Sequence, residues 1–209
     1  MNRLAFLLAR TLRREAPLAR MSVSQAALLA DFAGQNIALV GNARSLSAAR
    51  HGPQIDAADC VIRINRAPMP SAESHGTRTD ILALATSIPF ADLIRLRPGR
   101  VIWMSHKRKR LPYGIARSPG FHLHPLADFH RLAATLGAPP TTGLMLIDLL
   151  SRSRARRIDL YGFDFFASLS LSGSRTAAQV PHDFAAEKSF VEALLARDSR
   201  FHLHQNPPL

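Results

Sequence analysis

The stretch that decides the fold is NIALVGNARS, residues 36–45, in which an apolar run ends in a glycine turn. A short apolar run bounded by turn residues is typical of a buried strand. Gly41 permits the tight turn, and Asn42 and Ser45 follow it with polar side chains. In a parallel sheet, ligands bind just beyond the carboxyl ends of the strands. The residues after this strand are therefore a candidate site.

The same pattern repeats along the chain. Further strands are predicted at residues 60–64, 80–85, 100–104, 157–162 and 200–204. Helical patterns occur at residues 24–32, 90–96, 125–136, 142–153 and 183–196. This alternation predicts an α/β fold with a mostly parallel sheet that is covered by helices on both faces.

The charge balance favours anionic partners. The 209 residues include 27 Lys and Arg against 15 Asp and Glu, a formal net charge of +12. Such an excess suits nucleic acid, anionic lipid, or substrates that carry phosphate or carboxylate, and it does not choose among them. Cys60 is the only cysteine, which excludes a disulfide-stapled secreted domain. The cytoplasm is the simplest expected compartment.

The N-terminal segment, residues 1–20, is basic and amphipathic, and we treat it separately from the domain at residues 21–209. Its apolar run is far shorter than the roughly 20 residues that span a bilayer. In a helix, Leu4, Leu7, Leu8 and Leu12 fall on one side and the arginines lie largely elsewhere. Two interpretations stay open: a surface helix packed on the domain, or a peripheral contact with an anionic membrane.

Polar residues follow two more of the predicted strands and start a helix. Asn65 follows the second strand, so that two asparagines at successive strand ends indicate a polar pocket. In PPTTG, residues 139–143, a threonine is expected to cap the next helix, and Gly143 would let a ligand approach the backbone. The helix N-terminus there suits a carboxylate or a phosphate.

HDFAAE, residues 182–187, places a histidine just before a helix with acids at Asp183 and Glu187. His182 is suited to proton transfer near neutral pH, and a carboxylate there could orient its imidazole. The plainer interpretation is a surface histidine beside a helix-capping aspartate. His122, His124, His202 and His204 fit strand or loop positions, because one cysteine and scattered histidines do not have zinc spacing.

Taken in order, these features resemble the sialylmotifs of glycosyltransferase family 29, the sialyltransferases. Residues 37–68 resemble the large motif, and Gly76-Thr77-Arg78-Thr79 resembles its closing Gly-x-Arg-Thr. Residues 139–165 resemble the small motif, with Thr-Gly before a helix and Tyr-Gly-Phe after a strand. His182 and Glu187 have the spacing of the very short motif. The chain looks like a short, bacterial-type member.

The resemblance implies a single Rossmann-like, GT-A-like domain that inverts the anomeric centre and uses no metal or other cofactor, in agreement with the absence of an Asp-x-Asp sequence. The donor would be a CMP-activated sialic acid or a related, Kdo-like ulosonic acid, and the acceptor a glycan or glycolipid. His182 would be the general base, with Glu187 beside it. The donor-binding residues implied are Gly41, Asn42, Ser45, Asn65, Thr141, Thr142, Gly143, Tyr161 and Gly162.

Three departures from the family pattern matter. The animal enzymes join the large and small motifs by a disulfide, which one cysteine cannot form. Those enzymes also carry a histidine that supports the leaving phosphate shortly before the very short motif, and residues 165–179 contain none. Ser174 or Arg175 would be the substitutes. Finally, we expect no membrane anchor or stem.

Two alternatives remain. The basic runs at residues 107–110 and 152–157 motivate a nucleic-acid-binding protein, although few aromatic residues are available to stack on bases. The second alternative is a non-catalytic family member that binds a nucleotide or a glycan.

Overall fold

A computed structural model describes residues 1–165 and 181–205 of the chain. The described residues form one parallel sheet of seven strands in the order β5-β4-β3-β2-β1-β6-β7. The strands are β1 (Asn36–Val40), β2 (Cys60–Ile64), β3 (Ile81–Leu84), β4 (Arg100–Trp103), β5 (His122–Leu123), β6 (Arg157–Tyr161) and β7 (Phe201–Leu203). The predicted strands are confirmed. For β5 the sequence leaves a strand or a loop open at His122, because two residues are too few to show a pattern.

The helices lie between the strands as the alternation predicts. They are α1 (Arg3–Thr11), α2 (Glu15–Ala19), α3 (Gln25–Asp31), α4 (Gly52–Asp56), α5 (Ala72–His75), α6 (Phe90–Leu96), α7 (Tyr113–Ala116), α8 (Leu126–Leu136), α9 (Thr142–Ser151) and α10 (Phe184–Arg197). Two 3₁₀ helices, Arg44–Ala48 and Arg108–Arg110, complete the set among the described residues. The expected Rossmann-like α/β fold is confirmed.

The core lies on both faces of the sheet, because alternate residues of each strand point to opposite sides. Ile37, Leu39 and Ile62 pack on one face against the apolar side chains of α9 and α10. Val40 and Val61 pack on the other face. Cys60 is buried and unpaired, and burial raises the pKa of its thiol to about 12.

The N-terminal helices belong to this core. Phe6 of α1 and Leu18 of α2 are completely buried in one cluster with Trp103 of β4. The opposite side of α1 is open to solvent, with Leu4 78% and Leu8 56% exposed. One face of the helix therefore packs on the domain and the other faces outward. Among residues 1–165 and 181–205, no helix combines the length and the apolar character needed to cross a bilayer.

The Gly76–Thr79 motif braces α4 against the sheet. The Asp56 carboxylate accepts hydrogen bonds from the backbone N–H groups of Thr77 and Arg78, and from the Thr77 hydroxyl. Burial acts to raise the pKa of Asp56, but these donors outweigh it and lower the pKa. Arg78 donates in turn to the carbonyls of Asp56 and Ala58, so the motif serves the fold rather than a ligand.

Gly52→Ala is expected to destabilise the fold by about 2 kcal/mol, because an added methyl group would overlap the backbone carbonyl of Ala72. Gly114→Ala is the matched control, since a methyl group there would meet nothing within 4 Å. The control should change stability by less than about 0.5 kcal/mol. Urea denaturation of both variants tests this, and equal stability of the two would contradict the packing at Gly52.

Candidate functional site

A cleft opens at the carboxyl edge of the sheet, where β1, β2 and β6 end beside the N-termini of α9 and α10. It is lined by Gly41, Asn42, Ala43, Ile64, Thr141, Gly143, Leu144, Ile147, Gly162, Phe163, Asp164, Phe165, Phe184 and Glu187. The volume of the cleft is about 130 Å³. Ligand pockets usually have a volume of about 300 Å³ or more, so a nucleotide-sized ligand would extend beyond this cleft. The predicted motifs thus meet at one place.

Two glycines let the ends of β1 and β6 approach closely. Gly41 N–H donates to the Tyr161 carbonyl at 2.7 Å, and Ala43 N–H donates to the Gly162 carbonyl at 3.2 Å. Gly162 has φ +69°, which side-chain-bearing residues rarely adopt. A Cβ on Gly41 would overlap the Gly162 carbonyl. Both glycines are needed for this backbone contact, and the contact forms one wall of the cleft.

The two asparagines tie three strand ends together. Asn42 Nδ2 donates to the Ile64 carbonyl at 3.2 Å, which joins the end of β1 to that of β2. Asn65 Oδ1 accepts from Ala85 N–H at 2.9 Å, which joins the end of β2 to that of β3. Asn65 also has φ +53°, a conformation that asparagine tolerates better than most residues. Asn42 lines the cleft, whereas Asn65 does not line it and supports it from the position directly after β2.

A protein carboxylate occupies the start of α9, where a ligand anion was expected. Glu187 Oε1 accepts from Thr141 N–H at 2.6 Å, and its Oε2 accepts from the Thr141 hydroxyl at 2.7 Å. Thr141 Oγ1 in turn accepts from Leu144 N–H, which confirms that Thr141 caps the helix. The cap and the negative charge at the helix start are thus satisfied within the protein. Thr142 begins the helix but does not line the cleft.

Glu187 is only 4% exposed, and burial raises the pKa of its carboxyl to about 7. The hydrogen bonds from Thr141 act in the opposite direction, and the nearby Asp183 adds to the increase. Glu187 therefore changes its protonation state near neutral pH rather than in acid.

His182 does not itself line the cleft; it lies next to Phe184, which does, and a carbonyl orients its ring. Its Nδ1 is 2.7 Å from the Pro139 carbonyl oxygen, and its ring centroid is 6.1 Å from that of Phe184. Because a carbonyl can only accept, Nδ1 must carry the proton in this hydrogen bond, which leaves Nε2 as the acceptor.

The expected orientation of His182 by a carboxylate needs correction. Asp183 caps α10 by accepting from Ala186 N–H at 2.9 Å, and Glu187 binds Thr141. Both acids satisfy the starts of helices, and the Pro139 carbonyl holds the imidazole instead. His182 and Glu187 therefore both bind the backbone of residues 139–141, His182 at the Pro139 carbonyl and Glu187 at the Thr141 N–H.

Ser45 and Tyr161 stand behind the cleft rather than in it. Ser45 Oγ donates to Asp164 Oδ2 at 3.0 Å and so supports an acid that lines the cleft. Tyr161 is buried on the far side of β6, where its ring stacks on His204 at 4.3 Å. Burial raises the pKa of the Tyr161 phenol to about 12, so it stays protonated at neutral pH.

Gly143 lines the cleft and also permits close packing. A Cβ at Gly143 would lie 2.8 Å from the Phe163 ring and 3.7 Å from Ile64. The glycine therefore lets Phe163 pack against the start of α9, and its predicted contact with a ligand stays a prediction. Phe163, Asp164 and Phe165 line the cleft. Nothing in the sequence pattern marks these three residues as cleft residues, although the Tyr-Gly-Phe signal includes Phe163.

The structure does not describe the residues that were expected to bind the leaving phosphate. Ser174 and Arg175, the suggested substitutes for the family histidine, lie outside the described residues. Within residues 1–165 and 181–205, no three histidine, cysteine or acidic side chains form a group that could hold a metal ion. The absence of a cofactor remains an expectation.

Comparisons with known proteins support the resemblance over the large motif. The sequence profile of glycosyltransferase family 29 (sialyltransferase) matches residues 22–105. This match confirms the resemblance to family 29. The matched part carries the whole large motif and its closing Gly-x-Arg-Thr. No curated protein sequence matches the chain significantly.

Solved sialyltransferase structures share the fold at low sequence identity. A mammalian sialyltransferase is 20% identical, with a TM-score of 0.63, over 83% of this chain and 70% of that one. The sialyltransferase CstII from Campylobacter jejuni, in complex with cytidine-5'-monophosphate, is 14% identical. Its TM-score is 0.56, over 82% of this chain and 80% of that one. Together, the family 29 profile and this fold support the predicted enzyme class, a sialyltransferase-like glycosyltransferase.

Proposed function

We propose that the chain is a metal-independent, inverting glycosyltransferase. It transfers sialic acid or a related, Kdo-like ulosonic acid from a CMP-sugar to a hydroxyl of a glycan or glycolipid. One observation carries this proposal: residues of the large, small and very short motifs line a single cleft at the carboxyl edge of the sheet, and the carbonyl-oriented His182 lies next to Phe184 of that lining. Solved structures of CstII contain CMP, or CMP together with a trisaccharide acceptor, which supports the same donor and acceptor classes here.

His182 acts as the general base. With Nδ1–H donating to Pro139, the free lone pair of Nε2 accepts the proton of the acceptor hydroxyl. The oxygen of that hydroxyl attacks the anomeric carbon from the face opposite the nucleotide. The bond between the anomeric carbon and the CMP phosphate breaks, and CMP leaves with the bonding electrons.

Glu187 is a positioning residue. It binds Thr141 with both carboxylate oxygens, and Pro139, which orients His182, lies just two residues before Thr141. Glu187 thereby fixes the start of α10 relative to the start of α9, and His182 stands between these two points.

The function is tested by incubating the protein with CMP-sialic acid and, in parallel, with CMP-Kdo, without added metal and with EDTA present. Release of CMP that depends on a glycan acceptor, with a product of inverted anomeric configuration, is the expected result. Binding of CMP with no hydrolysis and no transfer from either donor would favour the non-catalytic alternative.

Internal ion pairs count against the nucleic-acid alternative. Arg152 pairs with Asp128 and Asp148, and Arg157 pairs with Asp159 at 2.8 Å. Much of the basic run at residues 152–157 is therefore neutralised within the protein. A salt-sensitive complex with DNA or RNA and no CMP binding would support this alternative.

We further propose that α1 contacts the surface of an anionic membrane, which would place the enzyme at the inner face of the cytoplasmic membrane. Leu4, Leu8 and Leu12 are 78%, 56% and 53% exposed and lie one turn apart on one side of the helix. Arg3 and Arg13 flank this stripe. An exposed apolar stripe with flanking cations is typical of helices that lie in a membrane interface.

Replacing Leu4 and Leu8 together by glutamine should reduce binding to phosphatidylglycerol vesicles about tenfold or more, since two large apolar side chains no longer enter the interface. Vesicle sedimentation measures this. Ala134→Gln, at an exposed position of α8 and away from this stripe, is the control and should bind like the unchanged protein. These substitutions are preferable to deleting residues 1–20, because deletion would remove Phe6 and Leu18 from the core. Unchanged binding by the double variant would contradict the membrane contact.

A further inference from the structure

A second cavity lies at the carboxyl edge of the sheet, beyond β4 and β5, and we call it the basic pocket. It is lined by Arg13, His106, Lys107, Arg108, Lys109, Arg110, Leu126 and His130. Its volume is about 530 Å³. This value lies within the range of about 300–1,000 Å³ that is usual for ligand pockets.

Arg108 holds the floor of the basic pocket in place. Its side chain is 2% exposed and donates to the carbonyls of Ser105, at 2.7 Å, and His124, at 2.6 Å. Arg108 Nε also donates to the Glu15 carboxylate at 2.9 Å. Glu15 lies on α2, so this ion pair fixes the loop after β4 against the N-terminal helices. The loop is thus ordered from inside, and Glu15 is already used by Arg108.

The remaining cations of the basic pocket have no such partner. In the part of the chain that the structure describes, no carboxylate lies within ion-pair distance of Lys107, Lys109 or Arg110. All three residues are exposed. This arrangement differs from the run at residues 152–157, where acids of the same chain balance several of the arginines. Cations that a rigid loop gathers without an internal counter-ion favour an external anion.

Two histidines complete the walls. The His106 ring stacks on Phe129 at 4.3 Å, and the His130 ring meets the same phenylalanine edge-on at 5.4 Å. Partial burial lowers the pKa of His106, and the cations Lys107, Arg108 and Arg110 together with His130 lower it further. A neutral imidazole beside several cations still offers an N–H donor to an anion.

We propose that the basic pocket binds a phosphate group of the acceptor, away from the hydroxyl that receives the sugar. Several ammonium and guanidinium groups around one cavity suit a phosphate better than a single carboxylate, because a phosphate has more charge and more acceptor oxygens. The basic pocket lies beyond β4 and β5, whereas the cleft lies at the ends of β1, β2 and β6, so two to four strand spacings of about 4.8 Å separate them along the same edge. The acceptor assignment rests on the proposed glycosyl transfer, whereas phosphate binding does not.

Titration with inorganic phosphate, without any donor, tests the binding step. The His106 proton resonances should shift saturably, and the pKa of His106 should rise as the anion opposes the neighbouring cations. The double variant Lys109→Ala/Arg110→Ala should bind phosphate about tenfold more weakly or worse, because two charge-assisted contacts are lost. Arg154→Ala/Arg197→Ala removes two exposed arginines outside the pocket and should bind like the unchanged protein. Absence of saturation, or equal weakening in both double variants, would overturn the proposal.

Two further arms separate this inference from the proposed function. CMP binding should be the same in Lys109→Ala/Arg110→Ala as in the unchanged protein. If the unchanged protein bound phosphate but not CMP, the proposed glycosyl transfer would be refuted and the phosphate site would stand. Glucose 1-phosphate should compete with inorganic phosphate, and glucose should not. If phosphatidylglycerol vesicles competed and glucose 1-phosphate did not, the site would serve a membrane lipid and the acceptor assignment would be wrong.

Discussion

Replacing His182 by alanine is expected to lower the rate of sugar transfer by about 10²–10⁴-fold, the usual contribution of a general base. Without Nε2, no group at that position accepts the proton of the attacking hydroxyl. The fold should remain, because His182 is half-buried and its hydrogen bond is to the Pro139 carbonyl. CMP binding should also change little. Initial rates with CMP-sialic acid and a glycan acceptor measure the effect.

A matched variant makes the result specific. His202→Ala removes a half-buried histidine of the edge strand β7, outside both the cleft and the basic pocket, and its transfer rate should stay within about twofold of the unchanged protein. A His182→Ala protein with full turnover would show that the base assignment is wrong. A loss of CMP binding equal to the loss of rate would assign His182 to donor binding instead.

Glu187 gives the second large effect, on stability. Glu187→Ala should cost about 3 kcal/mol in the free energy of unfolding, because it leaves Thr141 N–H without its acceptor and opens a buried space. Glu187→Gln keeps the shape, and its amide can still accept from Thr141 N–H. Comparison of the two variants therefore separates the hydrogen bond from the charge. Urea denaturation at a fixed pH measures both.

The pH dependence of Glu187 has a definite sign. Burial raises the pKa of its carboxyl from 4.5 to about 7, so between these values the folded protein holds a proton that the unfolded chain has lost. Stability of the unchanged protein should then fall as the pH rises through this interval. From pH 5 to pH 8 the loss should exceed that of Glu187→Gln by about 2 kcal/mol. Equal losses in the two proteins would contradict the raised pKa.

Much of the fold follows from local pattern. The apolar runs around Leu39, Ile62 and Leu160 predict buried strands, and the glycines and asparagines after them predict where the strands end. The position of the cleft also follows, because the carboxyl ends of parallel strands share one edge. The sequence alone does not decide between strand and loop at His122, because pairing with β4, rather than the two residues of β5 themselves, makes this segment a strand.

The contacts within the site depend on packing between distant segments, and spacing does not reveal them. Glu187 binds a threonine 46 residues away, and its nearness to His182 in the sequence suggested a different partner. Gly143 suggests open space until Phe163 is placed against it. Similarly, nothing local indicates that Arg108 is buried with Glu15 while its neighbours Lys107 and Lys109 face solvent. In each example, tertiary packing decides which polar groups and which spaces remain available to a ligand.

Selective binding of CMP tests the central claim most directly. Calorimetric titration of the unchanged protein with CMP, UMP, GMP and UDP, at one salt concentration and without metal, compares the nucleotides on equal terms. Binding of CMP at least about tenfold tighter than that of the other three is the predicted result, since a polar site that matches one base discriminates strongly against others. Equal binding of all four nucleotides, or no binding of CMP, would contradict the assignment of the cleft as the donor site.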